Sequence, residues 1–129
     1  MANYNLFLDD YRHPKDVKWL ELPLVEWTIV RTHHEFVATI KEKGVPNLVT
    51  YDCDLTPEHY DCFREHPEEY LTRYSDFSEP CGIRSVEYLL TVCSILRRKH
   101  PEFYLHTLNS IARPYMYKMI EVYNNSVCK

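Results

Sequence analysis

Hydrophobic and polar positions along this chain switch between a period of two and a period near 3.6. Leu6, Phe7 and Leu8 form a short apolar run closed by Asp9, Asp10, Arg12 and Pro14. A run of that length bounded by turn residues predicts a buried strand. Lys15 to Pro23 sustains no period and predicts a surface connector with Trp19 tucked in. Val25, Trp27 and Ile29 then alternate with Glu26, Thr28 and Val30, which predicts a second strand over 25–30 with Arg31 at its carboxyl end. Thr32 followed by Glu35 fits a capping box. Phe36, Val37 and Ile40 recur at helical spacing, and Lys41, Lys43 and Gly44 suit a helix end, so a helix is expected over 33–43. His33 and His34 are expected at its exposed start rather than as metal ligands.

A third apolar run, Leu48 to Tyr51, leads into Asp52-Cys53-Asp54-Leu55. Residues 56–80 break the pattern. Thr56-Pro57-Glu58 reads as an N-cap with proline in the first turn, followed by a short helix through Phe63. The acidic, aromatic remainder reads as an insertion placed to act as a lid, or as a peripheral helical decoration. Ile83, Val86, Leu89, Leu90, Cys93 and Leu96 trace one face of a helix over 83–99, closed by the solvated Arg97, Arg98 and Lys99. Phe103 to Asn109 predicts the last strand, ending in His106, Thr107 and Asn109. Met116, Met119, Ile120 and Tyr123 predict a final helix over 113–123, with Pro114 in its first turn. Strands alternating with helices argue for a mostly parallel, covered sheet in an α/β domain spanning residues 1–129.

Composition narrows the class. The chain of 129 residues carries a net charge of −4, so it lacks a broad electrostatic footprint for nucleic acid and no stable DNA binding is expected; a local basic site stays open. No apolar run is long enough to span a membrane. Five cysteines without CxxC spacing read as reduced thiols of a cytoplasmic protein rather than as a disulfide framework or a zinc site.

The chemistry gathers at strand ends. Ligands of open α/β sheets sit beyond the carboxyl ends of the strands. If the first and third strands are adjacent and parallel, Asp9, Asp10, Asp52 and Asp54 converge there. Four like charges call for a cation, and a hard divalent ion, Mg²⁺ or Mn²⁺, suits oxygen ligands. Arg12 and Arg31 suit non-bridging phosphate oxygens. His106 is placed to protonate a leaving oxygen, and Thr107 and Asn109 to donate hydrogen bonds to a phosphate.

The acids after the first strand, Asp52 after Pro-Asn-Leu-Val-Thr-Tyr, and Thr107 at a later strand end together resemble the receiver domains of response regulators. The chain lacks their fifth strand with its lysine and the helix after their first strand. A narrower resemblance accommodates both gaps. Leu-Phe-Leu-Asp-Asp-Tyr-Arg-His-Pro, Arg31-Thr32 before a helix, Asp-Cys-Asp-Leu, Gly82 opening the next helix and His-Thr-Leu-Asn resemble the cyclic-phosphate-processing receiver-like domains. That family carries histidine where this chain has Cys53 and threonine where it has Cys81. The resemblance implies a flavodoxin-like three-layer sandwich with a truncated four-stranded parallel sheet in order 2-1-3-4, helices on both faces, and the insertion after strand 3. It implies metal-dependent hydrolysis of a cyclic phosphate on an RNA end or nucleotide, with His106, Asp52 and Asp54 in catalysis. Cys53, which removes a proton donor, favours a second reading: a non-catalytic module that binds a phosphorylated ligand or a partner protein. A third reading takes Asp52-Cys53-Asp54-Leu55-Thr56 as the start of a haloacid-dehalogenase-type phosphatase, but the acidic pair those enzymes need after Thr107 is missing, Glu121 standing alone.

Overall fold

The strand predicted at Leu6 lies inside the sheet. The computed structural model describes residues 3–127. In it β1 (Asn5–Leu8) is flanked by β2 (Thr28–Val30) and β3 (Leu48–Tyr51), with β4 (Glu102–Leu105) beyond β3, all parallel, in order β2-β1-β3-β4. The helices are α1 (His33–Lys43), α2 (Pro57–Glu65), α3 (Tyr70–Arg73), α4 (Gly82–Ile95) and α5 (Ala112–Val127), with 3₁₀ turns at Pro14–Asp16, Pro67–Glu69 and Tyr74–Asp76.

The crossovers β2-α1-β3 and β3-α4-β4 advance in the same direction. Right-handed connection therefore places α1 and α4 on one face of the sheet, and α5 packs beside α4. Leu6, Leu8, Val49 and Tyr51 point into this layer and meet Phe36, Ile40, Ile83, Val86, Leu89, Met116 and Ile120 in one buried core. Truncating one of these large side chains to alanine costs about 2–5 kcal/mol. Among the described residues, the opposite face carries no helix longer than a 3₁₀ turn. Its cover is the connector between β1 and β2, which has one 3₁₀ turn and no longer helix because it sustains no helical period. Trp19 is not tucked in. It is 40% exposed, and its indole N–H donates to His106 O at 2.9 Å.

Element boundaries follow local chemistry. Thr32 Oγ1 accepts from Glu35 N at 3.0 Å, while Glu35 Oε1 accepts from Arg31 N, one residue before the position a capping box uses. His33 is not a free helix start, since its Nδ1 meets Ser85 Oγ at 2.9 Å and ties α1 to α4. β2 is three residues long rather than six, because Val25 N turns back to Pro23 O. α4 stops at Ile95, four residues short of the expected end. Arg97 takes a left-handed φ of 57° and Arg98 N reaches back to Cys93 O, closing the helix in the manner usually left to glycine. α5 runs to Val127, past the expected 123. Among the described residues no helix is long and apolar enough to cross a membrane. Cys53, Cys62, Cys81 and Cys93 are free thiols, all buried; Cys128 lies outside the described residues.

Candidate functional site

The parallel register builds one row across three strands. Leu8 pairs with Tyr51, and Tyr51 with Leu105. The next residue along each strand continues the ladder: Asp9 N donates to Val30 O, Asp52 N to Leu8 O and His106 N to Tyr51 O. Asp9, Asp52 and His106 therefore stand side by side beyond the carboxyl ends of their strands, where open α/β sheets bind ligands. One ligand atom from each lies within 4.8 Å of the other two, and all three residues are buried.

Asp9 is saturated. Its Oδ1 accepts from the backbone N–H of Tyr11 and Arg12, and its Oδ2 from His106 Nε2 at 3.0 Å and Arg12 Nη1 at 3.3 Å. Burial pushes this carboxyl up, but the bonds from His106 and the two backbone N–H groups outweigh it and hold it below the usual carboxylate range. Asp52 is the reverse case. Its Oδ1 meets only Cys53 N, and its Oδ2 is buried with no hydrogen-bond partner, Arg12 Nη1 standing 3.7 Å away. Burial, with Asp9 and Asp10 as charged neighbours, pushes Asp52 well above the carboxylate range. Among the described residues, Arg12 is the cation paired with these two acids. An orphaned carboxylate oxygen beside a second carboxylate fits a hard divalent cation, and Asp9 and Asp52 could hold one.

Asp10 and Asp54 flank the row and are held from the insertion. Tyr60 Oη donates to Asp10 at 3.0 and 3.2 Å. Tyr70 Oη donates to Asp54 Oδ1 at 2.6 Å and lies 3.2 Å from Cys53 Sγ. Asn109 Nδ2 donates to both Asp54 oxygens at 3.3 Å. Burial raises Asp54 to about 6 despite these donors. The insertion is thus pinned to the site rather than hovering over it. His59, fully buried, accepts from Leu55 N through Nδ1 at 2.8 Å and donates to Glu79 O through Nε2 at 2.6 Å, joining the two ends of the insertion.

Several side chains expected to face a substrate are engaged within the fold. His106 is fully buried, stacked on Phe7 at 4.7 Å, with Nε2 on Asp9 and Nδ1 2.7 Å from Thr50 Oγ1. Neither ring nitrogen is free to reach a leaving group. Arg31 Nη1 donates to the backbone oxygens of Asp9 and Arg12, so it braces the loop after β1. Asn109 Oδ1 caps α5 by accepting from Ile111 N and Ala112 N, and Thr107 Oγ1 accepts from Asn109 N. Arg12 remains beside both acids, its guanidinium also lying over the rings of Tyr11 and Trp19. Thr50, Tyr60 and Tyr70 belong to the site although no motif marks them as site residues. The aromatic, acidic character of the insertion was the available signal for the two tyrosines; Thr50 carried none. Gly82 is required by packing: a Cβ there would press into Asp52 O and lie 2.8 Å from Cys53 Cα.

Searches of curated proteins and of solved structures return no match. A family model described as the cyclic-phosphate processing receiver domain matches residues 4–122, which takes in all four strands, the insertion and every acid of the row. The chain belongs to the family of cyclic-phosphate processing receiver domains.

Proposed function

We propose that the acidic row binds Mg²⁺ or Mn²⁺ and hydrolyses a cyclic phosphate on an RNA end or nucleotide. The observation that supports this most directly is Asp52 Oδ2, buried, unpartnered and beside Asp9. Asp9 and Asp52 would hold the cation, with Asp10 at the rim. When bound, such an ion supplies Lewis-acid polarisation of a phosphoryl oxygen. Arg12 faces the same space and orients the non-bridging oxygens. Asp54, held by Tyr70 and Asn109, moves the proton that passes from attacking water to leaving oxygen as the ring P–O bond opens. His106 positions Asp9 and acts through it.

A second reading, a module that binds the phosphate ester without turnover, draws support from the internal engagement of His106, Thr107 and Asn109. The haloacid-dehalogenase-type reading has less: Glu121, the acid after Thr107, pairs with Lys118 on α5. The test is incubation with a nucleoside 2′,3′-cyclic monophosphate and Mg²⁺ or Mn²⁺, with chromatography of products and a melting curve. Metal-dependent ring opening that Asp52→Asn abolishes supports the hydrolase. Intact ligand with a raised melting temperature supports the module. No metal response at millimolar concentration removes the hydrolase, because a ligand that binds only the native state must stabilise it.

A further inference from the structure

Beside the row, the connector face carries aromatic and basic side chains that the proposed chemistry leaves unused. Strand alternation puts Phe7, Asp9, Thr50, Asp52, Tyr104 and His106 on this face, away from the helices. At the rim, the Arg12 guanidinium lies 4.7 Å from the Tyr11 ring and 5.1 Å from the Trp19 ring. Both rings are exposed, yet the indole is fixed by its bond to His106 O. Next to Trp19 begins a groove of about 880 Å³ along the outer edge of β4 and the start of α5. Thr107, between His106 and Asn109, lies at its site end; Leu20, Tyr104, Leu108, Arg113, Tyr117 and Lys118 line it further out. None of its lining residues is an acid, although Glu121 approaches Lys118 at 3.6 Å. In a chain of net charge −4 this is a local basic site, and Thr107 brings it to within one residue of His106 in the row.

We infer that the groove holds the unpaired ribonucleotides that lead to a cyclic phosphate, so that the substrate is the 3′ end of an RNA strand rather than a free nucleotide; this rests on reading the carboxylate row as a cyclic-phosphate site. A 2′,3′-cyclic phosphate uses the ribose 2′ oxygen, which makes the strand RNA. Single strands are held where aromatic faces alternate with cations, because every base has a face to stack and every linkage a charge. Trp19, Tyr104 and Tyr117 supply the faces; Arg113 and Lys118 supply the cations. Trp19 is anchored before binding, so stacking on it orders little. The carboxylates repel phosphate and cannot themselves account for affinity toward the preceding linkages.

The experiment uses the full chain carrying Trp27→Phe, which leaves Trp19 as the one tryptophan, and a fluorescent hexaribonucleotide ending in a 3′ hydroxyl. The hexamer should bind, quench Trp19 emission and show salt-dependent affinity. Arg113→Glu with Lys118→Glu should weaken it at least about ten-fold and flatten the logarithmic salt slope by roughly 0.7 for each cation removed. The metal-induced melting shift should stay unchanged, which shows that the variant is folded and the carboxylate row intact. A hexamer that fails to bind, or binds the double variant as tightly as the parent, overturns the groove. A hexamer that binds as expected while its cyclic-ended form is never turned over leaves the groove standing and removes the hydrolase. Turnover of the mononucleotide with no preference for the cyclic-ended hexamer removes the groove alone.

Discussion

His106 Nε2 stands 3.0 Å from Asp9 Oδ2 across a separation of 97 residues. Burial keeps the imidazole below its ordinary value, so the neutral ring donates from Nε2 to the carboxylate and accepts at Nδ1 from Thr50. A histidine sealed in this way fixes Asp9, and Asp9 in turn receives the N–H groups of the loop that carries Arg12.

His106→Asn should therefore slow an unactivated cyclic phosphate and a nitrophenyl phosphodiester by the same factor, and lower stability by about 1–3 kcal/mol because buried partners lose their bonds. Comparing kcat/KM for the two substrates checks this. A loss confined to the poor leaving group would restore His106 as the proton donor.

Tyr70→Phe and Tyr60→Phe remove one hydroxyl each, with different costs. Tyr70 is fully buried and serves both Asp54 and Cys53, so its loss should cost about 1–3 kcal/mol in urea unfolding. Tyr60 serves the half-exposed Asp10, where water can take over, and its loss should cost less than about 1 kcal/mol. Equal costs would mean that the insertion opens to water along its whole length.

His100 provides a pH dependence remote from the acids. Burial drives it down to about 4, with Nδ1 on Pro101 O and Nε2 on Tyr51 Oη at 2.7 Å each. The unfolded chain holds the extra proton between its ordinary value of 6.5 and about 4. Its contribution is thus fully present above 6.5 and lost as pH falls toward 4, with a slope near 1.4 kcal/mol per pH unit. His100→Gln should be less stable at neutral pH and show a shallower fall over that window, read as the difference between two denaturation series. Parallel series would place the proton elsewhere.

Gly82→Ala should destabilise by about 3 kcal/mol, because the added methyl meets backbone at Asp52 and Cys53 rather than a side chain that can swing away. Thermal unfolding with and without Mg²⁺ measures both the stability loss and any displacement of Asp52. An unchanged melting temperature would show that α4 can slide off β3 freely.

The backbone plan was legible because each strand is a short apolar run ending in polar chemistry, so Asp9, Asp52 and His106 could be placed on one edge before any contact was known. The family pattern added the order of the strands. What the side chains touch was not legible. Which nitrogen of His106 meets which partner depends on Thr50, a buried residue of a neighbouring strand with no signature of its own. Arg31 and Asn109 look like ligand groups in a motif, but Arg31 Nη1 donates to the loop after β1 and Asn109 Nδ2 to Asp54. Trp19 looked like a core residue because tryptophan usually is. The early end of α4 was hidden because arginine, not glycine, adopts the left-handed position.

The His59 clamp has a consequence for how this domain can vary. One imidazole bridges the backbone at Leu55 and Glu79, so the chain between them is a closed ring whose ends are spaced independently of what the ring contains. The entropy of closing such a ring grows only with the logarithm of its length. Exposed residues between the clamp points that touch neither Asp10 nor Asp54 can be exchanged, shortened or lengthened without re-registering the sheet. The insertion is a cassette: its border is held by histidine and its two tyrosine contacts to the acids are the parts that must be carried over.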